Sequence, residues 1–237
     1  VSLGAAPKHA TYTRCLASPQ HTKPSAKRAR CANRRNSKAD TRLLIARRND
    51  DTIRCYTRWY RRHCTGQIAL SVTASPNRSY AAQQAELLAQ IAAQARTFGP
   101  HLGRDYWRPH VLTAMAAVPR HRHVPAAWLR LAYADAPLPV DGGTTTSQPL
   151  VVALMTDLLD VADTHHVLEI GTGLGYATAV LGRLCAKVAT IEIDPALAGQ
   201  ARERLLASGI DNVTYGVGDG HLGWPEIGAV DRIVVAG

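Results

Sequence analysis

Residues 167–194 read VLEIGTGLGYATAVLGRLCAKVATIEID. A short apolar run, 167–170, ends in Gly171-Thr172-Gly173-Leu174-Gly175. Ala177, Val180, Leu181 and Leu184 follow at helical spacing, and a second apolar run, 188–193, carries Glu192 near its end. This order predicts a strand, a glycine-rich turn, a helix over 175–184 and a parallel strand tipped by an acid. Glycines let a backbone pass close to a ligand where a Cβ would clash, and the N–H groups of a helix start point at whatever sits there. A carboxylate 21 residues beyond Gly171 (192 − 171) is placed to accept from the hydroxyls of a ribose. The stretch implies a nucleoside-containing cofactor.

The same alternation continues downstream. Asp194-Pro195 reads as an N-cap with proline at the first helical position, followed by Leu197, Ala201 and Leu205 on one face and a stop at Gly209. A third strand, 213–217, precedes Gly218-Asp219-Gly220, and a fourth is expected over 232–236. Strands alternating with helices predict an α/β fold, a parallel sheet with helices on both faces. Upstream, Leu87, Leu88, Ile91, Ala95 and Phe98 fall at helical spacing up to Gly99-Pro100, which reads as a stop. Val111, Leu112, Met115 and Val118 mark a second helix ended by Pro119. Pro137, Pro139, Gly142 and Gly143 read as an irregular segment, and Leu150, Val151, Leu154, Met155, Leu158 and Leu159 as an amphipathic helix leading to the first strand.

The net charge of +10 averages two unlike parts. Residues 1–80 carry 17 Lys/Arg against Asp40, Asp50 and Asp51, a balance of +14, whereas residues 81–237 carry 11 against 15 acids, or −4. The basic segment 1–80 has little sustained periodicity and short apolar runs (43–46 and 68–72), too little to offset its ordering entropy, and is expected to be disordered. A transit segment or a nucleic-acid arm at 56–62, where aromatics alternate with cations, are the competing readings. Charge runs are usually solvated, so nucleic acid is not the expected partner. No run of about 18 apolar residues is present, so no membrane span is expected. Cys15, Cys31, Cys55 and Cys64 match no zinc spacing, and Cys185 ends an apolar helix face as a core residue, which fits a reducing, cytoplasmic setting. His121, His123, His165, His166 and His221 share no metal-ligand spacing and read as surface or loop side chains.

Dinucleotide sites favour G-x-G-x-x-G, whereas the spacing here is G-x-G-x-G, with Glu169 two residues ahead of the loop and an unexplained Gly-Asp-Gly after the third strand. An adenosine with an amino-acid tail accounts for these better: Glu192 on the ribose, Asp219 on the adenine amino group and the glycine loop along the tail. The chain resembles the protein-L-isoaspartate O-methyltransferase family over about residues 81–237. The matching pieces are Ala114-Met115, Val118-Pro119-Arg120-His121, Val124-Pro125, Ala132-Tyr133-Ala134-Asp135, Thr145-Thr146-Ser147-Gln148-Pro149, the 167–176 run, Thr190-Ile191-Glu192, and Gly218-Asp219-Gly220 with Leu222-Gly223-Trp224-Pro225. The resemblance implies a Rossmann-like class I methyltransferase domain at 81–237, with a helical part over 81–160 and a core over 161–237. It implies S-adenosyl-L-methionine as cofactor and isoaspartyl-containing peptides or proteins as partners, in a monomer. It places Ser147 at the family's active-site serine, Thr145 and Thr146 at the substrate, and Glu169, Gly171, Thr172, Gly173, Gly175, Glu192, Ile193, Asp219 and Gly220 around the cofactor. The methyl ester the family forms can close to a succinimide that reopens partly to normal aspartate.

Three departures stand out. The family commonly has Thr-Ile-Ser where this chain has Thr145-Thr146-Ser147, an apolar pair where Arg122-His123 stands, and an aromatic at His221. The family also continues for several strands past the position of Gly237, so the fold is expected to be incomplete at its C-terminus, with 232–236 as an exposed apolar edge. By position alone Ser147 reads as an N-cap, Glu192 as a solvated strand-end acid and Asp219 as a turn residue. A peptide-tailoring carboxyl methyltransferase, an inactive S-adenosylmethionine-binding module and, more distantly, a nicotinamide oxidoreductase are the alternative functions.

Overall fold

The computed structural model describes residues 44–47, 50–55, 78–140 and 143–236. In chain order the strands are β1 (Leu44–Arg47), β2 (Asp50–Cys55), β3 (Leu138–Val140), β4 (Thr144–Thr146), β5 (His166–Ile170), β6 (Lys187–Glu192), β7 (Val213–Val217) and β8 (Arg232–Val235). The α-helices are α1 (Tyr80–Ala93), α2 (Ala95–Leu102), α3 (Pro109–Ala117), α4 (Pro149–Leu159), α5 (Tyr176–Gly182) and α6 (Pro195–Ala207). Short 3-10 turns at Arg120–His123, Ala126–Leu131, Gly220–Leu222 and Pro225–Ile227 complete them.

The sheet runs β2-β1-β8-β5-β6-β7. β8, β5, β6 and β7 are parallel, with Leu168 beside both Ile233 and Ala189, and Thr190 beside Tyr215. The strand expected as a bare edge is covered: β1 pairs antiparallel with β8, Leu44 opposite Val235 and Arg47 opposite Arg232, and β2 pairs with β1. Two short strands thus lie inside the segment read as disordered. The aromatic-basic run 56–62, the apolar run 68–72 and Gly142 lie outside the described residues.

Alternation along the strands sorts the core. Val167, Glu169, Val188 and Thr190 are buried on the face that meets Thr178, Val180 and Leu181 of α5, with Met155 and Leu159 of α4 in the same apolar cluster. A second cluster joins Leu87, Ile91, Phe98, Trp107, Val111 and Met115 of the N-terminal helices to Leu150, Val180, Ala201 and Leu205. On the opposite face Gly220 lies against Ile170 and Ile191, and Trp224 lies against Gly216.

The N-terminal helix is interrupted earlier than its periodicity suggests. α1 ends at the Gln94 cap, and α2 runs through Gly99-Pro100 to stop at Gly103, whose φ of 68° supplies the left-handed turn. A proline removes only one hydrogen bond from so short a helix, while the glycine terminates it. The segment read as irregular holds the small β3–β4 pair, which brings Thr146 opposite Leu138. Arg104 pairs with Asp157, and the Arg108 N–H donates to the same carboxylate at 2.7 Å, clamping the start of α3 to the end of α4.

The first turn of α4 takes its cap from outside the helix. Gln148 occupies the cap position but its side chain does not cap the helix, while Asp135 accepts from the Leu150 N–H at 2.9 Å and from the Gln148 side-chain amide at 3.0 Å. Replacing a capping carboxylate costs about 1 kcal/mol, so Asp135→Ala is expected to lower Tm by roughly 2–4 °C. Calorimetric unfolding of the variant beside wild type checks it.

Candidate functional site

The C-terminal ends of β5, β6, β7 and β8 open onto one cavity of about 440 Å³. Its wall contains Ile170–Leu174 after β5, Glu192 and Ile193 after β6, Gly218–His221 after β7 and Val235–Ala236 at the end of β8. The β4 segment Thr144–Ser147 and His123 close it from the N-terminal part of the chain. This is the crevice where open parallel sheets receive ligands.

The glycine loop is shaped by hydrogen bonds to its neighbours. Gly171 donates to Ile191 O at 2.9 Å, and Gly173, at φ 55°, donates to Glu192 Oε2 at 2.8 Å. A Cβ built on Gly173 meets no atom within 4 Å, so the loop presents bare backbone to open space. Glu192 Oε1 accepts from the Asp194 N–H at 3.1 Å. Each carboxylate oxygen therefore keeps a further acceptor position. Ile193 is 69% exposed beside it, an apolar surface at the cavity mouth. Asp219 caps the turn after β7 by accepting from the His221 N–H at 2.9 Å, which matches its reading as a turn residue, and it also lines the cavity.

Ten of the residues singled out in the sequence share the cavity wall: Thr145, Thr146, Ser147, Gly171, Thr172, Gly173, Glu192, Ile193, Asp219 and Gly220. Glu169 and Gly175 do not. Glu169 is 0% exposed beneath the loop, accepting from Thr178 at 2.5 Å and Thr190 at 2.7 Å, both on Oε2. Burial pushes its carboxyl up to about 7 against the pull of the two hydroxyls, and Glu192 adds to the rise. Gly175, at φ 82°, is the left-handed cap of α5, and a side chain there would press on Leu205 of α6. Ser147 is not an N-cap: Gln148 holds that position, and the Ser147 hydroxyl makes no hydrogen bond among the described residues.

Two residues at the site escape sequence reasoning. Arg120, in the basic run RHRH, is 1% exposed and donates to Thr146 Oγ1 at 3.1 Å and Ser147 O at 3.2 Å. His123, read as a surface or loop histidine, is 0% exposed in the cavity wall. Its Nδ1 donates to Leu174 O at 3.1 Å, which leaves Nε2 as an acceptor with no partner among the described residues. Burial lowers its pKa to about 4, with Arg204, Arg122 and His121 pushing the same way and the Leu174 carbonyl opposing them. Among the described residues no group of three His, Cys, Asp or Glu side chains is arranged to hold a metal ion.

The His123 shift has a defined sign. The unfolded chain takes up a proton near pH 6.5 and the folded chain only near 4, so His123 costs stability progressively as pH falls from 6.5 to 4. Glu169, protonated more readily in the folded state, tilts the other way between 4.5 and about 7, which a wild-type-minus-variant difference removes. His123→Phe is expected to gain about 2 kcal/mol on wild type between pH 7.5 and pH 5. Denaturant titrations at the two pH values measure the change, and a pH-independent difference would contradict it.

The sequence model of the protein-L-isoaspartate(D-aspartate) O-methyltransferase family matches residues 104–237. The chain is 46% identical over 156 residues to protein-L-isoaspartate O-methyltransferase 2 of Syntrophobacter fumaroxidans, covering 66% of this chain and 63% of that one. It is 54% identical over 127 residues to protein-L-isoaspartate O-methyltransferase of Magnetococcus marinus, covering 54% and 56%. A solved protein-L-isoaspartate O-methyltransferase structure superposes with a TM-score of 0.52 at 27% identity, over 64% of this chain and 47% of that one. The chain thus spans under two thirds of the length of these relatives. With more than half its residues matched and the same α/β core, the chain belongs to the protein-L-isoaspartate(D-aspartate) O-methyltransferase family.

Proposed function

We propose that the protein transfers a methyl group from S-adenosyl-L-methionine to the free carboxylate of L-isoaspartyl residues in damaged proteins or peptides. The observation that carries this reading is the presence of two elements in the wall of one cavity. One is a bare glycine loop with an acid beside it, and the other a serine whose hydroxyl makes no hydrogen bond among the described residues.

The residues present fit the cofactor. Gly173 leaves room for a close-lying chain, Glu192 retains acceptor capacity for two ribose hydroxyls, and Ile193, Asp219 and Gly220 line the cavity beyond it. When bound, S-adenosylmethionine supplies a methyl carbon on a cationic sulfur, which an anionic oxygen can displace with the bond pair returning to sulfur.

The substrate carboxylate is ionised at neutral pH, so the protein need not supply a general base. Its task is to hold the oxygen on the line of displacement and to exclude water. Ser147 donates its hydroxyl proton to one carboxylate oxygen and so leaves the other free to react. Thr145 and Thr146 flank it on the substrate side. His123, neutral at pH 7, adds no charge that would compete for the anion. A monomeric enzyme is part of this reading. No helix among the described residues is long and apolar enough to cross a membrane. A cytoplasmic setting without a nucleic-acid partner completes the reading.

Labelled methyl transfer to an isoaspartyl peptide, and not to its aspartyl twin, is the expected result; equal labelling of both would overturn the proposal. Removing one hydrogen bond to a charged group costs about 1.5–3 kcal/mol, so Ser147→Ala is expected to lower kcat roughly 10- to 100-fold with little change in the KM for the methyl donor. Glu192→Gln is expected to raise the donor KM by about tenfold or more, read in the same assay, because it weakens both the ribose contact and the Gly173 anchor.

A further inference from the structure

We infer that Arg120 is a positioning residue for the Ser147 hydroxyl, an assignment that rests on the function proposed above. Ser147 is held by its backbone rather than by its side chain. On its N-terminal side the Arg120 guanidinium donates to Thr146 Oγ1 at 3.1 Å and to Ser147 O at 3.2 Å. On its C-terminal side Asp135 accepts from the Gln148 side chain and the Leu150 N–H. Between these two tethers the serine backbone has little freedom, and its hydroxyl is left to the cavity.

The same guanidinium also holds a second segment, and the Nη2 that serves Thr146 and Ser147 shares its two protons with a third acceptor there. Nη1 donates to Ala132 O at 2.7 Å and Ala134 O at 3.2 Å, and Nη2 to Ala136 O at 3.0 Å. These carbonyls belong to the segment leading into β3, and the guanidinium lies 5.8 Å from the ring of Tyr176, in the first turn of α5. One planar group therefore ties the serine strand to the helix that follows the glycine loop. A lysine keeps the charge but offers three donors from a single point and cannot reproduce the fork. Burial lowers the guanidinium to about 10, with Tyr176 and Asp135 countering, so it remains charged at neutral pH.

A scaffold role and a positioning role differ in how Arg120 couples to Ser147. A general loosening of the fold would lower activity by the same factor whether or not the serine hydroxyl is present. Positioning of that hydroxyl has no effect once the hydroxyl is gone. The test is a cycle of wild type, Arg120→Lys, Ser147→Ala and the double variant, each scored for kcat per folded molecule and for donor affinity. Arg120→Lys is expected to lower kcat about tenfold in the presence of Ser147 and less than twofold in its absence, with donor affinity changed less than twofold. Equal factors in both backgrounds, or a loss that follows donor affinity, would overturn the assignment. Should Arg120→Lys fail to fold, Arg120→Gln, which keeps a planar donor but loses most of the fork, takes its place in the same cycle. A crystal structure of the substituted protein reads the geometry without turnover. A Ser147 hydroxyl displaced by about 1 Å or more supports the assignment and an unmoved one overturns it, even if no isoaspartyl substrate is turned over and the proposed function itself fails.

Discussion

The site depends on a buried carboxylate that lies outside the cavity wall. Glu169 sits at the centre of the parallel sheet, and one of its oxygens accepts from Thr178 on α5 and from Thr190 on β6. Thr190 gives its only proton to Glu169, so the 2.6 Å contact between Thr190 and Thr172 has Thr172 as donor. A chain of hydroxyls thus runs from the glycine loop through β6 to β5, and a second arm reaches the helix after the loop. The second oxygen of Glu169 has no partner among the described residues. A half-satisfied buried carboxylate is costly, and the rise of its pKa to about 7 expresses that cost. In return the turn between β5 and α5 is fixed from below, where the cavity needs no side chain.

Glu192 fixes the same loop from beside. Its bonds to Gly173 and Asp194 mean that the acid expected to read a ribose also holds the backbone that would line the rest of the ligand. Binding and loop geometry are therefore not separable at this residue. The serine side of the cavity follows the same logic, the buried Arg120 cation ordering backbone carbonyls as the buried Glu169 carboxyl orders hydroxyls.

Much of this was legible in the sequence because it is local. Apolar runs, glycines and the Asp194-Pro195 start are read within a few residues of one another, and the strands and helices from β5 to β8 fall within a residue or two of where the pattern puts them. Side-chain parity also held information left unused: Val167 and Glu169 lie two apart on one strand, so a buried valine implies a buried glutamate. What was not legible is non-local. The pairing of β1 with β8 joins residues some 190 positions apart, and nothing near Ile45 announces it. His123 reads as a surface or loop side chain and Arg120 only as part of a family-like motif, and only tertiary packing buries the two of them. The helix break at Gln94 carries no proline or glycine signal, whereas Gly99-Pro100, which does, lies within a helix.

The account turns on a nucleoside-bearing sulfonium donor occupying the cavity above the strand ends, with Glu192 at its sugar. Titration calorimetry with S-adenosylhomocysteine, the donor without its methyl group, measures that occupancy independently of any acceptor. One-to-one binding with a Kd in roughly the micromolar range is predicted, weakened about tenfold or more in Glu192→Gln. No heat at millimolar ligand, or binding indifferent to Glu192, would contradict it.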